Sequence, residues 1–250
     1  MSDHDRGSIV EPHRVLSGFY AQRTQRSAFV RRLFNDTAPH YDVVNRLFSL
    51  GSGAWYRRRC LLRAGLRRGL DVIDVAVGTG LLAREIVAVT GSARQVTGID
   101  LSEGMLAAAR RKLDIHLVQG MAEQLPVASD SADFVTMGYA LRHLGDLVTA
   151  FGEFHRVLRR GGTLVLLEIG KPTRALSHAL VSGYLGHIVP LLCRLTAGER
   201  TKTLMDYYWE TIESCVPPDT ILDAMTRAGF VDPRCDVDFD IFRTYVGRKR

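Results

Sequence analysis

Between residues 71 and 168 the chain alternates two kinds of signal, and this restricts its fold more than any other feature. Short apolar runs at 71–76, 95–100, 115–119, 132–138 and 163–168 read as strands, and amphipathic stretches at 80–90, 103–112 and 146–160 read as helices. Breakers such as Gly91-Ser92 and Arg160-Gly161-Gly162 stand in the connections. Strands separated by helices cross over to lie parallel, which predicts an α/β fold with a doubly wound sheet. Helical patterns at 21–35, 42–50 and 54–68 precede the alternation, and others at 202–214 and 218–228 follow it. Two late strands, near 233–239 and 241–247, are too close for a parallel crossover, so one of them runs antiparallel. Residues 1–18 show no such pattern and are expected to be disordered, and the rest of the 250 residues suits one domain.

Charge and cysteine usage narrow the partners. The formal net charge is +6, and the excess sits largely in the first 70 residues, including Arg23, Arg26, Arg31, Arg32 and the run WYRRRCLLRAGLRR at 55–68. Two readings stand: solvated helix faces, or a peripheral surface drawn to anionic lipid headgroups. No aromatic-basic strand pattern or zinc-finger spacing points to nucleic acid. Cys60, Cys193, Cys215 and Cys235 are far apart with no C-x-x-C, which speaks against a disulfide scaffold or a zinc site and suits a reducing cytoplasm. The N-terminus, with Asp3, Asp5 and Glu11, has no signal-peptide core. Residues 175–193 carry no formal charge, but two His, two Ser, two Gly and Pro190 interrupt them, so a broken helix over something apolar is expected and not a membrane span.

The stretch VIDVAVGTGLLA at 72–83 is a strand-to-helix turn with a glycine pair, Gly78 and Gly80, around Thr79. Such a turn brings backbone close to a ligand at a helix N-terminus. Two acids sharpen this. Asp100, followed by Leu101, ends the second strand, where a carboxylate can take both hydroxyls of a ribose. Asp74 ends the first strand, four residues before Gly78, where it would repel a pyrophosphate and welcome a cation. S-adenosyl-L-methionine has a sulfonium, an ammonium and a ribose and no phosphate, and it is the expected cofactor.

The segments LFNDTAPHYDVVNRLFSLG (33–51), IDVAVGTG (73–80), LPVASDSADFVTMGYALRHLGD (125–146), FHRVLRRGGTLVLLEIGKP (154–172) and YYWETIESCVPPDTILDAMTRAGF (207–230) resemble the ubiquinone/menaquinone-biosynthesis C-methyltransferase family. The resemblance implies a seven-stranded methyltransferase sheet with an antiparallel last strand and an N-terminal helical lid. In these terms residues 19–250 form a single domain, with a lid at 19–70, a cofactor-binding core at 71–170, a substrate cap at 171–216 and a C-terminal helix and strands at 217–250. It places Thr79, Asp100, Met121, Ala122 and Gly138 at the cofactor. The chain departs from the family pattern at Leu81, Met121, Gly138 and His143, where Asp, Asn or Asp, Ser and Asn are usual.

The implied activity is S-adenosylmethionine-dependent methylation of a ring carbon of a polyprenyl hydroquinone, a small lipid quinol. Such a ring must be reduced to act as a nucleophile, and it needs a proton acceptor and a donor for its phenolate oxygen. Arg142, always protonated, can stabilise the phenolate, and His143 can take the proton or only hydrogen-bond. Tyr41, in the lid, can close over the sulfonium. No metal is expected. The alternatives are a methyltransferase of this scaffold acting on another phenol, terpenoid or secondary metabolite, a nicotinamide oxidoreductase disfavoured by Asp74, and a non-catalytic cofactor-binding or assembly protein. The expected location is the cytoplasm, with a peripheral place at the inner face of the membrane, and a homodimer is the expected assembly.

Overall fold

The structure is a computed structural model that describes residues 9–49, 51–184, 188–189 and 199–250. Seven strands, β1 (Val72–Val75), β2 (Val96–Asp100), β3 (His116–Gln119), β4 (Ala132–Gly138), β5 (Leu158–Ile169), β6 (Val231–Asp238) and β7 (Phe242–Arg248), form one sheet in the order β3-β2-β1-β4-β5-β7-β6. The pairings among β1 to β5 are parallel, and β7 runs antiparallel to both β5 and β6. The α/β fold and the antiparallel late strand follow the reading of the sequence.

The helices are α1 (Arg26–Thr37), α2 (Tyr41–Ser49), α3 (Gly53–Arg63), α4 (Leu81–Thr90), α5 (Glu103–Arg110), α6 (Leu147–Val157), α7 (Ala175–Gly183), α8 (Glu199–Ser214) and α9 (Pro218–Arg227). All four residues of β1 are buried, as a central parallel strand covered on both faces requires. One face is closed by Phe151 and Phe154 of α6 with Ile221 and Met225 of α9, and the other by Leu61 of α3 with Ile86 of α4. A third cluster joins Leu33 of α1, Val44 of α2 and Leu204 and Tyr207 of α8 to Leu16 and Tyr20. It roofs the carboxyl edge of the sheet. Since β1 lies between β2 and β4, the chain leaves it in opposite directions, and a crevice opens at the strand ends where open α/β sheets hold ligands.

Three expectations are corrected. The disorder expected over residues 1–18 does not extend to 9–18, while 1–8 lie outside the described residues. Val10 N–H donates to Asp146 Oδ1 at 2.9 Å, Val216 N–H donates to Pro12 O at 2.8 Å, and Arg26 donates to His13 O at 2.9 Å. This strap has no periodicity because its order comes from backbone hydrogen bonds to distant elements. The helix expected over 146–160 stops at Val157, since Leu158 already pairs with Ala132 as β5. The helix expected over 54–68 ends at Arg63, followed by Gly65 in the left-handed region (φ 94°). Of the stretch 175–193, α7 covers 175–183, and 185–187 and 190–193 lie outside the described residues. Among the described residues no helix is long and apolar enough to cross a membrane.

Candidate active site

The site begins with the turn after β1. Ala76 takes a left-handed φ of 55°, Gly78 one of 56° and Gly80 one of 86°, and Gly80 starts α4 without a side-chain cap. Asp100, at the tip of β2, fixes this turn: its Oδ2 accepts Gly78 N–H at 2.8 Å and its Oδ1 accepts Ser102 N–H at 2.8 Å. The Gly78 N–H that a phosphate would need is therefore committed to a carboxylate. Asp74 lies buried below; its Oδ1 accepts the Thr136 hydroxyl at 2.7 Å, and its Oδ2 has no partner.

Burial pushes Asp74 up to about 7, against the pull of the Thr136 hydrogen bond and helped by the nearby charge of Asp100. Burial likewise raises Asp100 to about 6, with the Ser102 and Gly78 amides pulling it back. Two carboxylates that resist ionisation, Asp74 buried and Asp100 half-buried at the cavity wall, form a site short of positive charge. A cationic ligand with ribose hydroxyls fits this arrangement, and a pyrophosphate does not.

A cavity of about 400 Å³ stands over the turn, within the range of sites for one small organic ligand. Gly78, Asp100, Leu101, Met121, Ala122, Gly138, Tyr41 and His143 line it. Asp74, Thr79, Gly80 and Arg142 are not in its wall. Gly138 is explained by space, because a Cβ there would meet Leu82 Cδ2 at 3.1 Å. Thr79 points toward α2 instead, its hydroxyl donating to Asp42 Oδ1 at 2.6 Å, and Asp42 is in turn paired with Lys112. Although burial opposes it, Lys112 and Thr79 hold Asp42 below the usual carboxylate range.

Arg142 is buried in a closed network. Its Nε donates to Glu168 Oε2 at 2.9 Å, and one terminal nitrogen donates to Thr211 Oγ1 at 2.8 Å and, at a longer 3.4 Å, to Tyr208 O. Glu168 also accepts the N–H groups of Leu141 and Ile169. The adjacent His143 lies between aromatic rings, stacked on Tyr207 and Tyr208 with Phe34 edge-on at 5.2 Å. Neither of its ring nitrogens has a hydrogen-bond partner. Burial and then the charge of Arg142 lower its pKa well below the ordinary histidine value, so it is neutral at physiological pH. Tyr41 accepts a hydrogen bond from the Tyr208 hydroxyl at 3.1 Å.

The sequence reading passed over Phe34, Glu123 and Tyr139, all in the cavity wall. Glu123 accepts Gly145 N–H at 2.7 Å and so ties the loop after β3 to the loop after β4. Tyr139 opens the YALRHLGD motif and has a φ of 62°, a strained conformation for a bulky side chain that no sequence signal announces. Among the described residues no cluster of His, Cys, Asp and Glu could hold a metal.

The sheet order and a glycine turn between two acid-tipped strands define the class of S-adenosylmethionine-dependent methyltransferases. The fold is shared with such a methyltransferase from Thermotoga maritima, at a TM-score of 0.61 and 18% identity over 88% of this chain and 99% of that one. Residues 21–242 match the ubiE/COQ5 methyltransferase family, and the chain belongs to it. It is 33% identical to the ubiquinone/menaquinone biosynthesis C-methyltransferase UbiE of Coxiella burnetii over 85% of this chain and 86% of that protein. It is 34% identical to the demethylmenaquinone methyltransferase of Staphylococcus aureus over 72% of this chain and 75% of that protein.

The two carboxylates yield a prediction with a definite sign. A cation favours their ionised forms, so binding displaces the protons they hold at low pH, and affinity for S-adenosylmethionine should rise with pH through the values near 6 and 7. Calorimetry should show roughly tenfold tighter binding at about pH 7.5 than at about pH 5.5, with protons released to the buffer. Asp100→Asn should weaken binding by roughly 10- to 100-fold and flatten the dependence. A pH-independent affinity in the wild-type protein would contradict this account of the site.

Proposed function

We propose that the protein transfers a methyl group from S-adenosylmethionine to a ring carbon of a polyprenyl hydroquinone. The observation that carries the reading is the pairing of a carboxylate-floored cavity with a neutral, unpartnered His143 in its wall, in a chain of this family. When bound, S-adenosylmethionine supplies an electrophilic methyl group on a cationic sulfur. Asp100 would hold the ribose, Leu101 would flank it, and the backbone of Met121 and Ala122 would meet the adenine. Asp74 would counter the positive charge through the floor of the turn, with Gly80 shaping the turn and Thr79 holding the lid to it.

On the acceptor side His143 has the geometry of a base, because one of its free nitrogens can accept a proton from a ring hydroxyl. Loss of that proton moves electron density onto the ortho carbon and makes it the nucleophile. Once the methyl group has passed to it and the neutral thioether has left, the ring carbon gives up its own hydrogen as a proton to restore the aromatic ring. The hydroxyl recovers its proton from His143. Arg142 serves by position: its charge is matched by Glu168, and the pair fixes the loop that presents His143. Tyr41, which the Tyr208 hydroxyl holds in the lid, offers its ring face to the cavity.

A short-tail naphthohydroquinone assayed anaerobically should be methylated, and the corresponding quinone should not. Because His143 is already neutral near pH 7, its protonation should not produce a limb near pH 6.5 in the pH–rate profile; any such limb should lie lower. His143→Asn should lower the rate by roughly 10²–10⁴ if the imidazole takes the proton. Full activity in that variant would remove His143 from the chemistry, and equal turnover of quinone and hydroquinone would remove the nucleophile described.

The outer face of α3 supports a peripheral position at an anionic membrane. Trp55 and Leu62 are 57% and 52% exposed, and Arg58 and Arg59 lie on the same face, Arg59 at 5.3 Å over the Trp55 ring. Indoles settle at the headgroup level and guanidinium groups bind anionic lipid. Sedimentation with vesicles should show binding to mixed anionic membranes and little to purely zwitterionic ones. Trp55→Ser together with Arg59→Ser should reduce it several-fold, and unchanged binding would rule this face out.

A further inference from the structure

Three arginines are buried among the described residues, and they are not equivalent. Arg26 faces Glu11 at 3.7 Å and Arg142 faces Glu168 at 2.9 Å. Arg57, 5% exposed, has no carboxylate within salt-bridge distance among the described residues, although its charge reaches Asp74 and favours the ionised form there. Its one hydrogen bond goes to the neutral Asn45 Oδ1 at 2.8 Å, and its guanidinium lies 5.5 Å from the centre of the Tyr139 ring. A buried cation without a counter-ion is costly, and proteins keep such groups where a ligand completes them.

Arg57 borders a small second cavity of about 50 Å³ between α2, α3 and the ends of β4 and β5, with Tyr56, Ile169 and Phe242 supplying apolar wall. Tyr41, Tyr139 and Tyr208 line both this cavity and the large one. The small cavity has room for the oxygen-bearing edge of a ring and not for a whole ring, whose body would extend past the tyrosines toward the cofactor. The backbone has also made room for the guanidinium. A Cβ at Gly53, in the first turn of α3, would stand 2.8 Å from an Arg57 terminal nitrogen.

We propose that Arg57 binds the oxygen of a phenolic acceptor at the junction of the two cavities and supplies a positive charge, not tied up in a salt bridge, that the phenolate requires. Arg142, although it also borders the small cavity, has its charge balanced by Glu168 and cannot fill that role equally. The inference rests on the reading of the protein as a methyltransferase of phenols, and it holds for a hydroquinone or any other phenol. Arg57 is then a residue that touches substrate, and α3 connects the acceptor site to the outer face that carries Trp55 and Arg59.

The test uses the full-length protein and two probes, a short-tail naphthohydroquinone for turnover and 4-nitrophenol, whose phenolate is coloured, for binding. Arg57→Met should lower the rate by roughly 10²–10³ while S-adenosylmethionine affinity stays within about twofold. Bound 4-nitrophenol should be more ionised on the wild-type protein than in buffer at the same pH, and Arg57→Met should abolish that shift. Arg57→Lys should restore part of both effects. Gly53→Ala keeps the charge and favours the helix, but displaces the guanidinium, and it should produce a smaller loss of the same kind. Wild-type turnover in Arg57→Met, a parallel fall in cofactor affinity, or failure of the wild-type protein to ionise bound 4-nitrophenol would each overturn the proposal. Arg57-dependent ionisation of 4-nitrophenol without methylation of the naphthohydroquinone would uphold the site and overturn the choice of acceptor.

Discussion

The buried pair Arg142–Glu168 is the interaction on which the site depends. Glu168 stands at the end of β5 and reaches the loop after β4 twice, through the Arg142 guanidinium and the Leu141 amide, while Arg142 extends to Thr211 and the Tyr208 carbonyl of α8. One ion pair thus joins two strand ends and the helix that roofs them. Both side chains are nearly inaccessible, so removing either would strand a charge in a low-dielectric interior at a cost of about 3–5 kcal/mol. The position of His143, the stacking of Tyr207 and Tyr208 on it and the anchoring of Tyr41 all follow from where this pair places α8.

The electrostatics of the crevice divide along its length. At the cofactor end two carboxylates crowd each other below the glycine turn, and at the lid side an unmatched guanidinium stands over Tyr139. Among the described residues neither end forms a salt bridge, and of the two carboxylates the charge of Arg57 reaches only the buried Asp74. On the proposed reading, two different ligands would relieve this charge distribution, a cation at one end and an oxyanion at the other. His143, neutral between aromatic rings, lies where a proton can be taken without adding a third fixed charge.

Much of this was legible in the chain. The alternation over 71–168 predicted the parallel sheet, and the short link between the late strands required an antiparallel one, because both follow from periodicity and chain reach. Asp100 and the glycine turn were legible because strand ends bring them together by topology, whereas Met121 and Ala122 were placed only by the resemblance to the family. What sequence could not reveal was orientation and pairing. Arg142 reads as a free donor until Glu168, 26 residues on, neutralises it, and Arg57 reads as one more surface arginine in a basic helix until α3 turns it inward. The strap from Ile9 onward was invisible for a similar reason, since its order comes from hydrogen bonds to residues more than 130 positions away. Ala76 and Tyr139 adopt left-handed backbone where neither side chain favours it, and only the fold imposes that.

The hydrogen bond of Thr79 to Asp42, which Lys112 in turn holds, works as a clasp between the glycine turn and α2. Its Asp42 and Lys112 members are partly exposed, whereas the Asp74 carboxylate beneath it is buried. Dissolved ions screen the former strongly and the latter weakly. Ionic strength then becomes a control on traffic: added salt should speed both entry and escape of the cofactor, which stopped-flow exchange would register, and leave the equilibrium between them nearly where it was.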